Sequence, residues 1–342
     1  MLGFFRNERA NVLQSIIGVA LFSTNAHKSL HAIFGRIGLS VAYSTTIARL
    51  HTLGEDAAAN LKSIGRRFVA GSAFIHIVYD NINQYRKSWR PSLNSQTALE
   101  SGTAATLIMQ DVDDPTTFDG PAYEFRRLEN QSRKPSFKVL LADIDTDHTE
   151  GILVGIIMKI LLEHIPYLQK HQSAVDAIFT TQYARHRAKL RQTEHYPMAC
   201  SAHDEATTSG NKDVVRDLLV NQLGITPQEL DQRIVTISGD QLSIQRLRTL
   251  KEQTKKGHSW YSAHRYIVPL IEMWHMQATF LKGIFRTSWA PTLARDDFGL
   301  RHAATTLGRK INADKVDFYP CDRLAGVVLQ TMTLNYARFV SV

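Results

Sequence analysis

The chain has 342 residues, of which 44% are hydrophobic and 21% charged, which excludes a disordered protein and leaves room for one large domain or two ordinary ones. Its two cysteines, Cys200 and Cys321, exclude a disulfide framework and a cysteine-built zinc site, and we expect both to be buried as small apolar residues. The net charge of +8 is compatible with a nucleic-acid partner but does not identify one.

The first 68 residues are predicted to form a helical N-terminal region. Apolar residues at helical spacing predict helices over 10–23, 26–36 and about 44–64, with Asn25 capping the second and Gly65 ending the third. Three short helices with basic residues are typical either of a DNA-binding bundle or of a simple helical cap. The apolar run near the N-terminus is interrupted by polar residues, so we expect neither a signal peptide nor a membrane span.

Residues 69–290 are predicted to form a mixed α+β core, with a helical insertion at about 170–230 and a helical C-terminal segment at 291–342. Short β-branched and aromatic runs predict five strands, at 74–79, 103–110, 137–144, 233–238 and 266–271. Helical periodicity predicts helices at 149–168, 174–189, 213–223, 241–253, 273–286, 301–311 and 323–339, and 190–212 is predicted to be a loop. Three strands followed by strands that alternate with helices is the order of a ribonuclease-H-like core.

Two aspartates directly follow predicted strands. Asp80 follows the first strand and Asp240 follows the fourth. These strands are neighbours in a ribonuclease-H-like sheet, so we expect both carboxylates to bind a divalent metal, Mg²⁺ or Mn²⁺. Hard cations prefer carboxylate oxygens, and two of them about 4 Å apart supply the charge and the nucleophile that phosphodiester cleavage needs. A third carboxylate, Glu272 or Asp317, would complete the set.

Each of these residues also has a structural explanation. An aspartate after a strand is often a turn residue whose side chain accepts backbone N–H groups, and Gly239-Asp240 is a common turn pair. Glu272 and His275 share one helix face, where they would bind a metal or form a satisfied polar pair near a strand end. The other late acidic candidates are Asp296, Asp297, Asp314 and Asp322.

Aromatic, histidine and lysine side chains are concentrated between residues 255 and 264. The pattern comprises Lys255, Lys256, His258, Trp260, Tyr261 and His264. Such a group would bind phosphates or stack on bases, or it would form an ordinary solvated loop.

Four short motifs, together with the N-terminal stretch Leu39–Ser44, carry a family resemblance that covers nearly the whole chain. They are VYDNIN at 78–83, SGTAAT at 101–106, SGDQLS at 238–243 and WHMQ at 274–277. Together they resemble an uncharacterised domain family that occurs in many copies in mushroom-forming fungi. That family has no established activity, so the resemblance indicates kinship and not function.

The order of these motifs also resembles cut-and-paste DDE transposases with a ribonuclease-H-like fold. In those enzymes a histidine commonly follows the fifth strand, as His275 does here. The resemblance implies a catalytic role for His275 beside Asp80 and Asp240, a DNA partner and a nuclear location. It also implies a further helical segment that carries a catalytic glutamate, so we expect this chain, which stops at Val342, to be truncated at its C-terminus.

The leading hypothesis is therefore a transposase-derived DNA-processing domain that performs metal-dependent phosphodiester cleavage or strand transfer. The alternative is a catalytically inactive DNA-binding or scaffold protein that has kept the fold. A third hypothesis is a gene fragment without a stable function.

Overall fold

A computed structural model describes residues 11–86, 88, 96–112, 119–131, 136–183, 190, 192–289 and 299–340. Within these ranges the chain forms a five-stranded mixed sheet and twelve α-helices, which confirms the mixed α and β class. The chain divides into two compact units. The first unit contains residues 1–121, 194–238 and 245–269, and the second contains residues 122–193, 239–244 and 270–342.

Three helices open the first unit: α1 Val12–Ser23, α2 Lys28–Arg36 and α3 Tyr43–Val69. They confirm the three predicted N-terminal helices, but two boundaries differ. The N-cap of α2 is His27, whose Nδ1 accepts a hydrogen bond from the Ser29 N–H, whereas Asn25 has a φ of 54°. The prediction that Gly65 ends α3 is wrong. A Cβ at Gly65 would collide with the Leu223 carbonyl oxygen, so this glycine permits close packing.

The five strands lie in the order β3-β2-β1-β4-β5. Their bounds are β1 Ala73–Arg86, β2 Ala98–Asp111, β3 Glu194–Pro197, β4 Val235–Gly239 and β5 Ile267–Ile271. β2 is antiparallel to both β1 and β3, whereas β1 and β4 are parallel, with Val78 opposite Ser238. The predicted first, second, fourth and fifth strands are confirmed, and β1 and β2 are longer than predicted.

The remaining helices follow the first hairpin. They are α4 Gly120–Gln131, α5 Phe137–Ala142, α6 Thr146–His164, α7 Gln172–Thr180, α8 Thr208–Arg216, α9 Gln241–Thr254, α10 Met273–Ser288, α11 Leu300–Thr306 and α12 Phe318–Val340. A 3₁₀ segment, Pro166–His171, precedes α7, and a π-helical turn, Asp217–Gln222, extends α8. The last part of the predicted helix at 174–189, residues 184–189, lies outside the described residues.

The third strand predicted at 137–144 is wrong, because this run forms the helix α5. The Ser136 hydroxyl caps α5 by accepting a hydrogen bond from the Val139 N–H at 3.3 Å. The apolar run also lacks the strict alternation of a half-buried strand. The actual third strand, β3, lies in the stretch predicted to be a loop, and it pairs Tyr196 with Leu107 of β2.

The core of the first unit lies against one face of the sheet. Ile75, Ile77 and Tyr79 alternate along β1 and are fully buried. The Tyr79 hydroxyl donates a hydrogen bond to the Asn211 side-chain oxygen at 2.5 Å. Apolar side chains of α8 and of the π-helical turn are also fully buried: Val214, Val215, Leu218 and Leu219. The hydrogen bond therefore joins this face of the sheet to α8.

The core of the second unit is helical. It comprises Leu281 and Phe285 of α10, Leu300 and Ala304 of α11, and Cys321 and Leu324 of α12. Cys321 is thus buried as predicted, but Cys200 is exposed, contrary to the prediction. Across the described helices, none combines the length and apolarity that crossing a membrane requires.

Candidate functional site

Asp80 lies within β1 and not at its end, so that part of the prediction is wrong. β1 continues to Arg86 because β2 extends equally far and pairs with it, Asp80 facing Ala104. The polar residues after Asp80 also suit this outer part of the hairpin, where the Ser101 hydroxyl donates a hydrogen bond to the Asn83 side-chain oxygen at 2.9 Å. The Asp80 side chain is exposed in the first unit, and its Oδ1 accepts a hydrogen bond from the Asn81 N–H.

Asp240 directly follows β4 and begins α9 in the second unit. Its Oδ1 accepts a hydrogen bond from the Ser243 N–H at 2.7 Å, and its carbonyl accepts one from the Ile244 N–H at 3.1 Å. Asp240 is therefore the N-cap of α9. This is the structural role that the sequence left open for an aspartate after a strand.

Glu272 directly follows β5 and is the N-cap of α10. Its backbone N–H donates a hydrogen bond to the Gly239 carbonyl at 3.0 Å, which joins the carboxyl ends of β4 and β5. Since Asp240 is the next residue after Gly239, two acidic residues follow the ends of neighbouring strands within the second unit. The sequence identified both residues, but it did not predict this hydrogen bond.

Glu272 also holds His275 in position. Glu272 Oε2 accepts a hydrogen bond from the His275 backbone N–H at 3.0 Å and lies 3.2 Å from the imidazole Nδ1. Burial alone would raise the pKa of Glu272, but hydrogen bonds from the Trp274 and His275 N–H groups and from the His275 ring outweigh it and lower this pKa below its usual value. Glu272 is therefore an anion at neutral pH, with its Oε2 already in contact with His275.

Aromatic rings connect this pair to the start of α12. The Trp274 ring lies 5.0 Å from the His275 ring and 5.4 Å from the Phe318 ring, measured between centroids. Asp317 directly precedes Phe318, is exposed, and accepts a hydrogen bond from the Cys321 N–H through its carbonyl. Asp317 thus belongs to the same part of the second unit as Glu272. Phe318, which makes this connection, has no recognisable motif in the sequence.

Within the described residues, no three His, Cys, Asp or Glu side chains form a group suited to hold a metal ion. Asp296 and Asp297 lie outside the described residues. Asp240 and Glu272 offer the oxygen ligands that Mg²⁺ prefers, so their chemistry fits a hard cation. These two carboxylates alone do not complete the predicted set of three.

The aromatic side chains between residues 255 and 264 are used for packing. The Trp260 indole N–H donates a hydrogen bond to the Arg233 carbonyl at 2.9 Å, and the Tyr261 ring stacks on Tyr266 with centroids 5.5 Å apart. His264 is buried, and burial together with the nearby charges of Lys212 and Lys251 lowers its pKa to about 4. Trp260, Tyr261 and His264 therefore stabilise the first unit.

Comparisons with known proteins identify a family whose function is unknown. No curated protein and no solved structure matches this chain. A family model, described as a family of unknown function (DUF6589), matches residues 130–341, which is more than half of the chain and includes Asp240, Glu272, His275 and Asp317. The chain therefore belongs to this family of unknown function.

Proposed function

We propose that this chain is a transposase-derived domain with a ribonuclease-H-like sheet, and that it cleaves or transfers DNA strands with the help of a divalent metal. The strand order β3-β2-β1-β4-β5 supports the proposed fold, because it combines an antiparallel meander with a fourth strand parallel to the first. A source in mushroom-forming fungi and a nuclear location stay predictions that accompany this proposal.

The observation that carries the proposal is the position of Asp240 and Glu272. The two residues follow neighbouring strands whose carboxyl ends are joined by the hydrogen bond from Glu272 N–H to the Gly239 carbonyl. Open α/β sheets generally bind ligands at the carboxyl ends of their strands. Asp240 and Glu272 would hold Mg²⁺ or Mn²⁺, and a role for Asp317 as the third carboxylate stays a prediction from the sequence. The participation of Asp80 stays a prediction from the sequence.

The proposed chemistry assigns different roles to metal and protein. A bound divalent ion would shield phosphate charge and activate the attacking oxygen. Glu272 fixes the His275 ring through Nδ1, which leaves Nε2 as the ring atom that can accept a proton from substrate or donate one to a phosphate oxygen. His275 would thus act as a catalytic residue at the phosphate.

A second candidate function is nucleic-acid binding without chemistry. The Asp240 and Glu272 carboxylates both cap helices, and this structural role alone can explain why acidic residues occupy these positions. The stretch 246–265 in and after α9 contains six basic residues and only one acidic residue, Glu252. Of the six, Arg248, Lys255 and Lys256 are exposed, and Lys255 forms an ion pair with Glu252 at 3.1 Å. Exposed cations such as Arg248 and Lys256 suit phosphate contacts.

A cleavage and strand-transfer assay on duplex DNA distinguishes the two functions. The active domain requires Mg²⁺ or Mn²⁺, loses activity in EDTA, and loses it by roughly 100-fold or more in Asp240→Asn, which keeps the cap but removes the charge. Asp80→Asn tests whether the Asp80 carboxylate, which lies in the first unit, also takes part. A comparable loss of activity in this variant would support its role. Matched substitution of the exposed Asp143 to Asn should leave activity unchanged.

The binding function gives the opposite result in the same preparation. DNA binding then survives EDTA and Asp240→Asn, whereas the double variant Arg248→Glu/Lys256→Glu weakens it and lowers the salt slope by about 1 for each lost phosphate contact. Absence of both cleavage and DNA binding in a folded chain would overturn both candidate functions.

A further inference from the structure

A cavity of about 1050 Å³ lies between α10, α11 and α12 in the second unit. Leu281 of α10 and Leu300 of α11 line this cavity and also belong to the buried core of the three helices, so the packing of the core fixes part of its wall. Sites for small molecules are usually clefts of about 300–1000 Å³ with mostly apolar walls and a few polar groups. The cavity therefore has room for a complete small organic molecule.

The walls of this cavity are mainly apolar. All three helices contribute large apolar side chains: Phe280 and Ile284 of α10, Leu300 of α11, and Phe318, Leu329 and Met332 of α12. A smaller cavity, of about 230 Å³, lies between α11 and α12 and shares Gly299, Val328 and Met332 with the larger one. The apolar walls thus continue between α11 and α12. An apolar ligand body would bind there because it leaves water.

Asp322 of α12 gives the larger cavity a negative charge. Among the described residues that line this cavity, Asp322 alone is charged, and the other polar side chains, Gln277 and Ser288, are neutral. None of the ion pairs within the described part of the chain includes Asp322. An unpaired carboxylate attracts a cation and repels an anion, so the cavity favours a cationic ligand over an anionic one.

The charged and the apolar lining residues follow one another along α12. Phe318 and Asp322 are four residues apart, so they lie on the same side of the helix, where the ring of Phe318 offers a further attractive surface to a cation. Met332 lies ten residues after Asp322, which is about 15 Å along the helix axis. The cavity therefore suits a molecule with a cationic group at one end and an apolar body behind it.

We propose that the cavity between α10, α11 and α12 binds an organic cation. The apolar body of the ligand lies between the helices, and its ammonium group lies beside Asp322 and Phe318. The proposal is independent of the metal site and of DNA.

Fluorescence titration of the purified full chain with dansylcadaverine tests this proposal. The probe carries a protonated amine and a dansyl group whose emission shifts to the blue in apolar surroundings. The wild-type chain should bind one probe per chain, and dansylaminohexanoate, which carries a carboxylate in place of the amine, should bind at least fivefold more weakly. Asp322→Asn should weaken dansylcadaverine binding about threefold to fivefold, the effect of losing one partly exposed ion pair. Asp314→Asn is the matched control and should change nothing, because Asp314 does not line the cavity.

A second variant fills the cavity. A Cβ added at Gly326, which lines the cavity, or at Gly283, which does not, meets no atom within 4 Å. Gly326→Leu should weaken dansylcadaverine binding at least tenfold, because the leucine side chain takes the place of the ligand, whereas Gly283→Leu should bind the probe as the wild-type chain does. Both substitutions replace a helical glycine with a better helix former, so both variants should fold.

Three results of the titration overturn the proposal: no binding of dansylcadaverine to the folded wild-type chain, equal binding of the two probes, or unchanged binding in Gly326→Leu. Light scattering adds a fourth. A wild-type chain with twice its 38.6 kDa mass that Gly326→Leu converts to single chains would show that a second copy fills the cavity, and it would overturn the proposal as well.

Discussion

The sheet of the first unit and the helix α6 of the second unit contain the same kinds of side chain in opposite environments. Ile77 of β1 and Leu107 of β2 are fully buried and face each other, whereas Ile157 of α6 is 44% exposed. β-branched and aliphatic residues stabilise a chain only where something covers them. The sheet is covered within the chain, whereas the Ile157 side of α6 remains partly exposed. Substitutions of buried sheet residues should therefore lower the free energy of unfolding more than substitutions of exposed α6 residues.

The largest difference is expected between Ile77→Ala and Ile157→Ala. The first leaves a cavity under the sheet and should lower the free energy of unfolding by about 2–5 kcal/mol. The second should lower it by less than about 1 kcal/mol, because Ile157 is already 44% exposed. Urea denaturation of the two variants measures both losses. Equal losses would contradict the comparison.

The buried His264 should make the first unit sensitive to acid. Its folded-state pKa of about 4 lies below its unfolded value of 6.5, so between these values the unfolded chain binds the proton and the folded chain does not. Stability is then lost as the pH falls from about 6.5 to 4, by about 3 kcal/mol. His264→Asn tolerates the φ of 49° and cannot take up this proton. Urea unfolding at pH 7 and pH 4 should show a smaller loss for this variant, and an identical loss would refute the assignment.

The hydrogen bond between Tyr79 and Asn211 should contribute less. Tyr79→Phe keeps the ring but removes the hydroxyl, which leaves the buried Asn211 side-chain oxygen without that donor. We expect a loss of about 1–3 kcal/mol in the free energy of unfolding. The control is Tyr319→Phe, since Tyr319 is exposed and should change stability little. Comparable losses in the two variants would show that burial does not set the effect.

The smallest effect is expected at the N-cap of α9. Asp240→Ala removes the oxygen that accepts the Ser243 N–H and should cost about 1 kcal/mol of stability. Asp240→Asn keeps an acceptor and should cost only a few tenths of a kcal/mol. Thermal unfolding followed by circular dichroism measures both variants. If Asp240→Asn were as destabilising as Asp240→Ala, the negative charge and not the cap would be the stabilising feature.

Strands that are buried in the chain could be predicted from the sequence, and the pairing between distant segments could not. The β-branched and aromatic residues of β1, β4 and β5 favour strands locally, so local preference and tertiary structure agree there. The run at 137–144 forms helix α5 because Ser136 caps it, and its aliphatic residues do not require a sheet. β3 has only four residues, and its pairing with β2 depends on a partner about 90 positions away in the sequence.

In the candidate site, too, the sequence predicted local features but not the contacts between distant segments. The sequence identified Asp240, Glu272 and His275 individually, because strand ends and helix spacing are local features. It placed Asp80 at a strand end since the buried run stops there, but the hairpin ladder with β2 extends the strand beyond the core. The contact between Glu272 N–H and the Gly239 carbonyl and the contact between Trp274 and Phe318 depend on packing between segments that are far apart in the chain.

Cation binding beside Trp274 tests the central claim most directly. Tb³⁺ is an oxygen-seeking ion whose emission is excited by a nearby indole, and Trp274 contacts His275, the partner of Glu272. We expect tryptophan-sensitised Tb³⁺ emission in the wild-type chain that Mg²⁺ or Mn²⁺ displaces, that Trp274→Phe reduces, and that Asp240→Asn abolishes without loss of fold. Emission that is absent from the folded wild-type chain, or unchanged in Asp240→Asn, would contradict a metal site at the ends of β4 and β5.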